Sequence, residues 1–91
     1  MISKRVVVRN KSGLHARPAS NFVKEAQRYQ STIMVAYMEK EFNAKSILGI
    51  LGACIKCGTE IELRASGVDE AQAVGGLAAA IEAGLGEEEQ A

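Results

Sequence analysis

Apolar residues in this chain keep two different periods, and the way those periods alternate limits the folds open to it. Val6 and Val8, then Ile33, Val35 and Tyr37, then Ile61, Leu63 and Ala65 recur at every second position. That is the spacing of strands with one buried face. Ala19, Phe22, Val23, Ala26 and Tyr29 recur at helical steps, as do Val74, Leu77, Ala78, Ile81 and Leu85. The first strand reads over 2–9 and is ended by the turn residues Asn10-Lys11-Ser12-Gly13. A helix over about 16–29 follows. Its first turn holds Pro18, the only proline, where the missing N–H loses no hydrogen bond. A second strand spans about 32–37, and Glu39-Lys40 turns the chain into a short third strand around Phe42.

Ser46 is placed to cap a short helix beginning at Ile47. The last helix starts near Asp69, whose carboxylate is expected to cap it, with Gln72 completing a capping box. Gly75 and Gly76 within it cost roughly 1 kcal/mol each against alanine, which suggests close approach of another element. Gly84 and Gly86 stop the helix, and residues 87–91 are expected to fray. Along the fourth strand Glu60, Glu62 and Arg64 alternate with the apolar residues, so one face is wet. Seven elements in this order, with helices on one side of the strands, make an α+β open-faced sandwich. At 91 residues, 1–91 is expected to form one domain burying ~65% of its unfolded surface, with no need of a metal.

Charge narrows the function. Eleven basic and eleven acidic residues cancel, which argues against a general nucleic-acid binder. No apolar run approaches the length of a membrane span, and the N-terminus lacks the apolar stretch of a secretory signal. Two cysteines cannot make a disulfide scaffold, so a cytoplasmic location with reduced thiols is expected. The balance is uneven along the chain. Residues 1–30 carry seven Lys and Arg against Glu25 alone, whereas residues 65–91 carry six acidic residues and no base. The basic third could steer an acidic partner, and plain intramolecular balance explains the same pattern.

The only histidine, His15, stands at the junction Gly13-Leu14-His15-Ala16-Arg17-Pro18-Ala19-Ser20. Unpaired first-turn N–H groups and the helix dipole favour anions there. Arg17 adds a guanidinium fork suited to phosphate oxygens. Imidazole is a competent nucleophile near neutral pH. These features suit a phosphohistidine. No Gly-rich nucleotide loop and no metal-ligand cluster accompanies them, so the chain looks able to carry a phosphoryl group but not to take one from ATP unaided. Arg17, Asn21, Lys24 and Arg28 form a polar stripe on the exposed side of the same helix.

Gly13-Leu14-His15-Ala16-Arg17-Pro18-Ala19 resembles the active-site motif of the HPr phosphocarrier family of the bacterial phosphoenolpyruvate:sugar phosphotransferase system. Asn43-Ala44-Lys45-Ser46-Ile47-Leu48-Gly49-Ile50-Leu51 resembles that family's second motif, around its regulatory serine. The resemblance covers nearly the whole chain. It implies a four-stranded antiparallel sheet with two long helices and one short helix on one face, in the order βαββαβα. It implies that His15 accepts a phosphoryl group at Nδ1 from phosphorylated enzyme I and passes it to sugar-specific enzyme IIA domains, with Arg17 compensating the phosphate charge. Ser20, Asn21, Lys24, Ile47, Leu48 and Leu51 fall at partner-facing positions, although core packing explains the last three equally well. Ser46 matches a serine that, in some bacteria, a dedicated HPr kinase/phosphorylase phosphorylates, recruiting a catabolite-control repressor. No cofactor, nucleic acid or membrane is implied, and a monomer is expected. The chain would not be an enzyme in its own right. A regulatory paralogue of the same fold, in a nitrogen-related branch or as a catabolite-repression partner, is the alternative.

Cys54-Ile55-Lys56-Cys57 departs from the family pattern. It supplies two zinc ligands where a structural site wants four, and it lies in a loop rather than at the helix N-terminus of a redox dithiol. Two incidental thiols is the plainer reading.

Overall fold

The structure, a computed structural model, describes residues 1–11 and 13–86. Its elements are β1 (Ile2–Val7), α1 (Ala16–Gln27), β2 (Thr32–Tyr37), β3 (Lys40–Asn43), α2 (Ile47–Ala53), β4 (Glu60–Ser66) and α3 (Glu70–Glu82). The strands form one antiparallel sheet in the order β1-β4-β2-β3. This is the expected open-faced sandwich.

The period-2 residues meet across the sheet. Val6 faces Ile61 from β1, and Val35 faces Leu63 from β2. All four are buried, together with Ile33 and Ala65. Alternation then sends Glu62 and Arg64 to the opposite face, where the Arg64 guanidinium joins Glu62 at 2.7 Å and Glu41 at 2.6 Å. Such exposed pairs contribute little to stability. The core lies between the sheet and the helices. Ala19, Phe22, Val23 and Ala26 of α1 and Ala73, Val74, Leu77, Ala78 and Ile81 of α3 supply its other side. α3 covers β1 and β4, α1 packs on α3 and α2, and α2 reaches β3.

Several boundaries differ from expectation. β1 ends at Val7, not at residue 9, because the ladder loses its return bond at Val8, the Thr59 amide turning back to the Lys56 carbonyl at 3.1 Å. The Val8 amide donates to the Thr59 carbonyl at 2.9 Å, and the Gly58 amide donates to the Val8 carbonyl at 2.7 Å. α1 ends at Gln27, and Tyr29 packs half-buried beyond it. The β2–β3 turn is Met38-Glu39, both with positive φ (52° and 63°), so Lys40 already belongs to β3. Leu85 is buried but follows α3 rather than belonging to it, with φ 53° and its amide donating to the Ala80 carbonyl.

The capping box at Asp69 does not form. Asp69 makes no cap bond; its carboxylate accepts the amides of Gln30 and Ser31, each at 2.9 Å, and the Ser31 hydroxyl. Three donors around the buried Ser31 outcompete one helix amide, and they hold the Asp69 carboxyl below its ordinary range. Of the two helix glycines only Gly76 admits a neighbour. A β-carbon built there would stand 1.9 Å from Tyr29 Oη, whereas one on Gly75 would meet nothing within 4 Å. The expected fraying of 87–91 lies outside the described residues.

Candidate functional site

His15 is exposed and is the N-cap residue of α1, in extended conformation (φ −137°, ψ 150°). Its side chain makes no cap hydrogen bond, and no acidic residue stands in the first turn. The imidazole is therefore not consumed in closing its own helix. The helix end keeps its partial positive charge and its first-turn N–H groups, less the one that Pro18 lacks. Ala16, directly after His15, has φ +51°. This left-handed conformation is costly for alanine and marks the junction as strained. Arg17 is exposed beside it and makes no ion pair among the described residues.

The loop that presents His15 is held from two sides. Within it, the Asn10 side chain donates to the Gly13 carbonyl, and the Gly13 amide donates to the Asn10 carbonyl at 3.0 Å. Asn10 is buried. Across the fold, the Leu14 amide donates to the Ile55 carbonyl at 2.8 Å. Gly13, at φ +64°, lies so close to this segment that a β-carbon would stand 2.3 Å from Ile55 O and 2.8 Å from Lys56 Cα. The 55–57 segment thus supports the loop, and sequence reasoning missed it. The Asn-Gly spacing predicted a turn, but nothing local pointed to a partner some forty residues on.

The remaining candidates separate. Lys24 is exposed on α1 and Ser20 is half-buried. Asn21 is half-buried too, and its side-chain amide donates to the Leu85 carbonyl at 2.7 Å, so one member of the expected stripe ties α1 to the end of α3. Leu48 is 80% exposed and Ile47 39%, an apolar step on the surface, while Leu51 is half-buried and packs on the core.

Ser46 caps α2 as expected, its hydroxyl oxygen accepting the Gly49 amide at 3.1 Å. It sits near the far end of α1 from His15. The Gln27 side-chain amide donates to the Lys45 carbonyl, and Lys45 Nζ donates to the Tyr29 carbonyl at 2.6 Å. A twelve-residue helix such as α1 is about 18 Å long, so the two candidate phosphorylation positions are well separated. α2 packs against α1, and the segment that follows it takes the Leu14 amide at Ile55. Among the described residues no group of three or more His, Cys, Asp and Glu side chains is placed to hold a metal, and no helix is long and apolar enough to cross a membrane.

A one-faced sheet sandwich offering an uncommitted imidazole at the start of its first helix defines a class, the histidine phosphocarriers. The family model described as the PTS HPr component phosphorylation site matches residues 2–83, and the chain belongs to the HPr family. It is 44% identical over 82 residues to the HPr-like protein Crh of Bacillus subtilis, covering 90% of this chain and 96% of that one. Among solved structures it is similar to HPr-C-His from Thermoanaerobacter tengcongensis, with a TM-score of 0.94, 42% identity, and coverage of 98% of this chain and 100% of that one. It is also similar to a structure of the HPr dimer from the same organism, with a TM-score of 0.77, 41% identity, and coverage of 96% and 100%.

Proposed function

We propose that the protein shuttles phosphoryl groups at His15, taking one from phosphorylated enzyme I and giving it to sugar-specific enzyme IIA domains. The observation that carries this reading is an exposed His15 side chain left out of helix capping, at the N-terminus of α1 and next to an Arg17 that makes no ion pair among the described residues. In the forward step Nδ1 of His15 attacks phosphorus as the bond to the donor breaks. In the next step the acceptor's nucleophile attacks and His15 leaves as imidazole. Arg17 and the helix end compensate the phosphate charge without burying it, so the group stays transferable. The chain turns over only with its partners and is not an enzyme by itself. It acts in the cytoplasm as a monomer and presents Lys24, Ile47 and Leu48 to acidic, partly apolar partner surfaces. Brief encounters need steering more than tight binding.

Ser46 is the proposed regulatory site, phosphorylated by an HPr kinase/phosphorylase. A phosphate there is tolerated by the N-terminus of α2 and adds negative charge beside Ile47 and Leu48, opposing acidic partners. The similarity to Crh, the Bacillus subtilis catabolite repression HPr, supports a second reading, in which the chain serves mainly as a catabolite-repression partner. The presence of His15 favours the carrier.

Incubation with phosphoenolpyruvate and the cognate enzyme I separates the two. The expected result is an acid-labile gain of one phosphoryl group that His15→Ala abolishes. Absence of any gain leaves the regulatory reading and removes the carrier. Light scattering of the purified chain tests the monomer.

A further inference from the structure

Phosphoryl transfer leaves Cys54 and Cys57 without a part, yet the fold puts both in the segment that supports the His15 loop. Cys54 is the C-cap of α2 in left-handed conformation (φ 54°), and both thiols are exposed. Cys54 Sγ contacts the Leu51 carbonyl at 3.8 Å and Cys57 Sγ contacts the Arg9 carbonyl at 3.5 Å. A thiol is a weak donor, so these contacts hold the side chains loosely. Between the cysteines, the Ile55 carbonyl receives the Leu14 amide, and the Ile55–Cys57 backbone is the surface on which Gly13 rests. We infer that Cys54 and Cys57 are a redox-sensitive dithiol whose closure to a disulfide unlatches the loop carrying His15.

The geometry supplies the coupling. A disulfide needs its two Cα atoms about 4.4–6.8 Å apart. Across three residues that distance is reached by a turn centred on Ile55 and Lys56, whereas the hydrogen-bonded turn here is centred on Cys57 and Gly58, the Thr59 amide donating to the Lys56 carbonyl at 3.1 Å. The two sulfurs also address different neighbours, one on α2 and one just after β1. Closing the bridge therefore bends Ile55-Lys56, and the carbonyl that holds Leu14 turns with it. The short spacing favours intramolecular closure once one sulfur is activated. The oxidant is a low-molecular-weight disulfide. The thiolate of one cysteine attacks it and releases one small thiol; the other cysteine's thiolate then attacks the mixed disulfide and releases the second. Two electrons pass from the cysteines to the oxidant, and the two protein S–H protons end on the two released thiols.

The effect on transfer rests on His15 being the phosphoryl acceptor; the effect on the loop does not. The test is to treat the full chain with oxidised glutathione and follow three readouts. Mass spectrometry is expected to show loss of two hydrogens. Amide exchange at Leu14 is expected to accelerate by about tenfold or more. Phosphoryl acceptance from phosphorylated enzyme I is expected to slow, with all three reversed by dithiothreitol and absent from the Cys54→Ser/Cys57→Ser variant. A glutathionyl adduct that persists without closing overturns the dithiol, and a closed disulfide with Leu14 still protected overturns the coupling. If the reduced chain accepts no phosphoryl group at all, the carrier reading fails, while the mass and exchange results still decide this one.

Discussion

The amide of Leu14 donates to the carbonyl of Ile55 at 2.8 Å, so the residue preceding His15 hangs from the loop between α2 and β4 rather than from its own helix. A nucleophile on a surface loop needs its backbone fixed by something rigid. Here that support is the buried Ile55, which brings the core up to the foot of the loop.

Gly13 is the tightest point of this arrangement. Alanine there is strained by the left-handed backbone at φ +64° and collides with Ile55 O and Lys56 Cα, both backbone atoms that cannot swing aside. Gly13→Ala is expected to lower stability by roughly 2–3 kcal/mol in urea unfolding. It should also slow phosphoryl acceptance in the fraction that remains folded. A variant as stable as the parent would mean that the 55–57 segment yields easily and does not position the loop.

The periods made most of the fold legible in the sequence, because strand and helix each bury one face and the apolar residues record which. The short helix was legible for a different reason: Ser46 closes its N-terminus through Gly49, a contact three residues long. What could not be read were bonds between segments remote in sequence. Asp69 looked like a cap but is claimed by Gln30 and Ser31, and Asn21 looked like surface but serves Leu85. The turn at Met38-Glu39 carries neither the Asn nor the Gly that its backbone favours, so composition pointed one residue too far along.

Gly75 and Gly76 are neighbours with opposite surroundings. Gly75→Ala gains helix propensity in open space and is expected to raise stability by about 0.5–1 kcal/mol. Gly76→Ala gains the same propensity but displaces Tyr29, whose hydroxyl donates to Glu25 at 2.7 Å. The two variants are expected to differ by about 2 kcal/mol, the displaced packing and lost hydrogen bond outweighing the propensity gain. Adding Tyr29→Phe to Gly76→Ala should recover part of the loss by removing the nearest atom. Equal stabilities of the two alanine variants would show that Tyr29 moves away freely.

Ser46 serves α2 whether or not it is phosphorylated, so its structural and regulatory parts must be separated. Ser46→Ala removes the acceptor for the Gly49 amide and is expected to cost about 1 kcal/mol, with phosphoryl acceptance by the folded protein unchanged. Ser46→Asp keeps an acceptor and adds charge. It should leave stability near the parent's while slowing acceptance about tenfold or more, since a carboxylate beside Ile47 and Leu48 repels an acidic partner. Intact transfer rates in Ser46→Asp would sink the regulatory proposal without touching the cap.

Acid should expose the Asp69 network. Its carboxyl is held below the ordinary value of 3.8, first by the Ser31 hydroxyl and then by the amides of Gln30 and Ser31. With the folded value depressed, the unfolded chain binds the proton more readily, so the network's contribution is complete above the ordinary value and fades as pH falls through it toward the folded one. Asp69→Asn cannot be protonated in this range. The stability gap between parent and Asp69→Asn is therefore expected to be widest at neutral pH and to narrow below about pH 4, where ordinary aspartates become protonated. Urea unfolding of both proteins from neutral to strongly acidic buffer reads that gap directly. A gap that stays constant across the series would mean that the carboxylate's charge contributes nothing and that only the geometry of its acceptors matters.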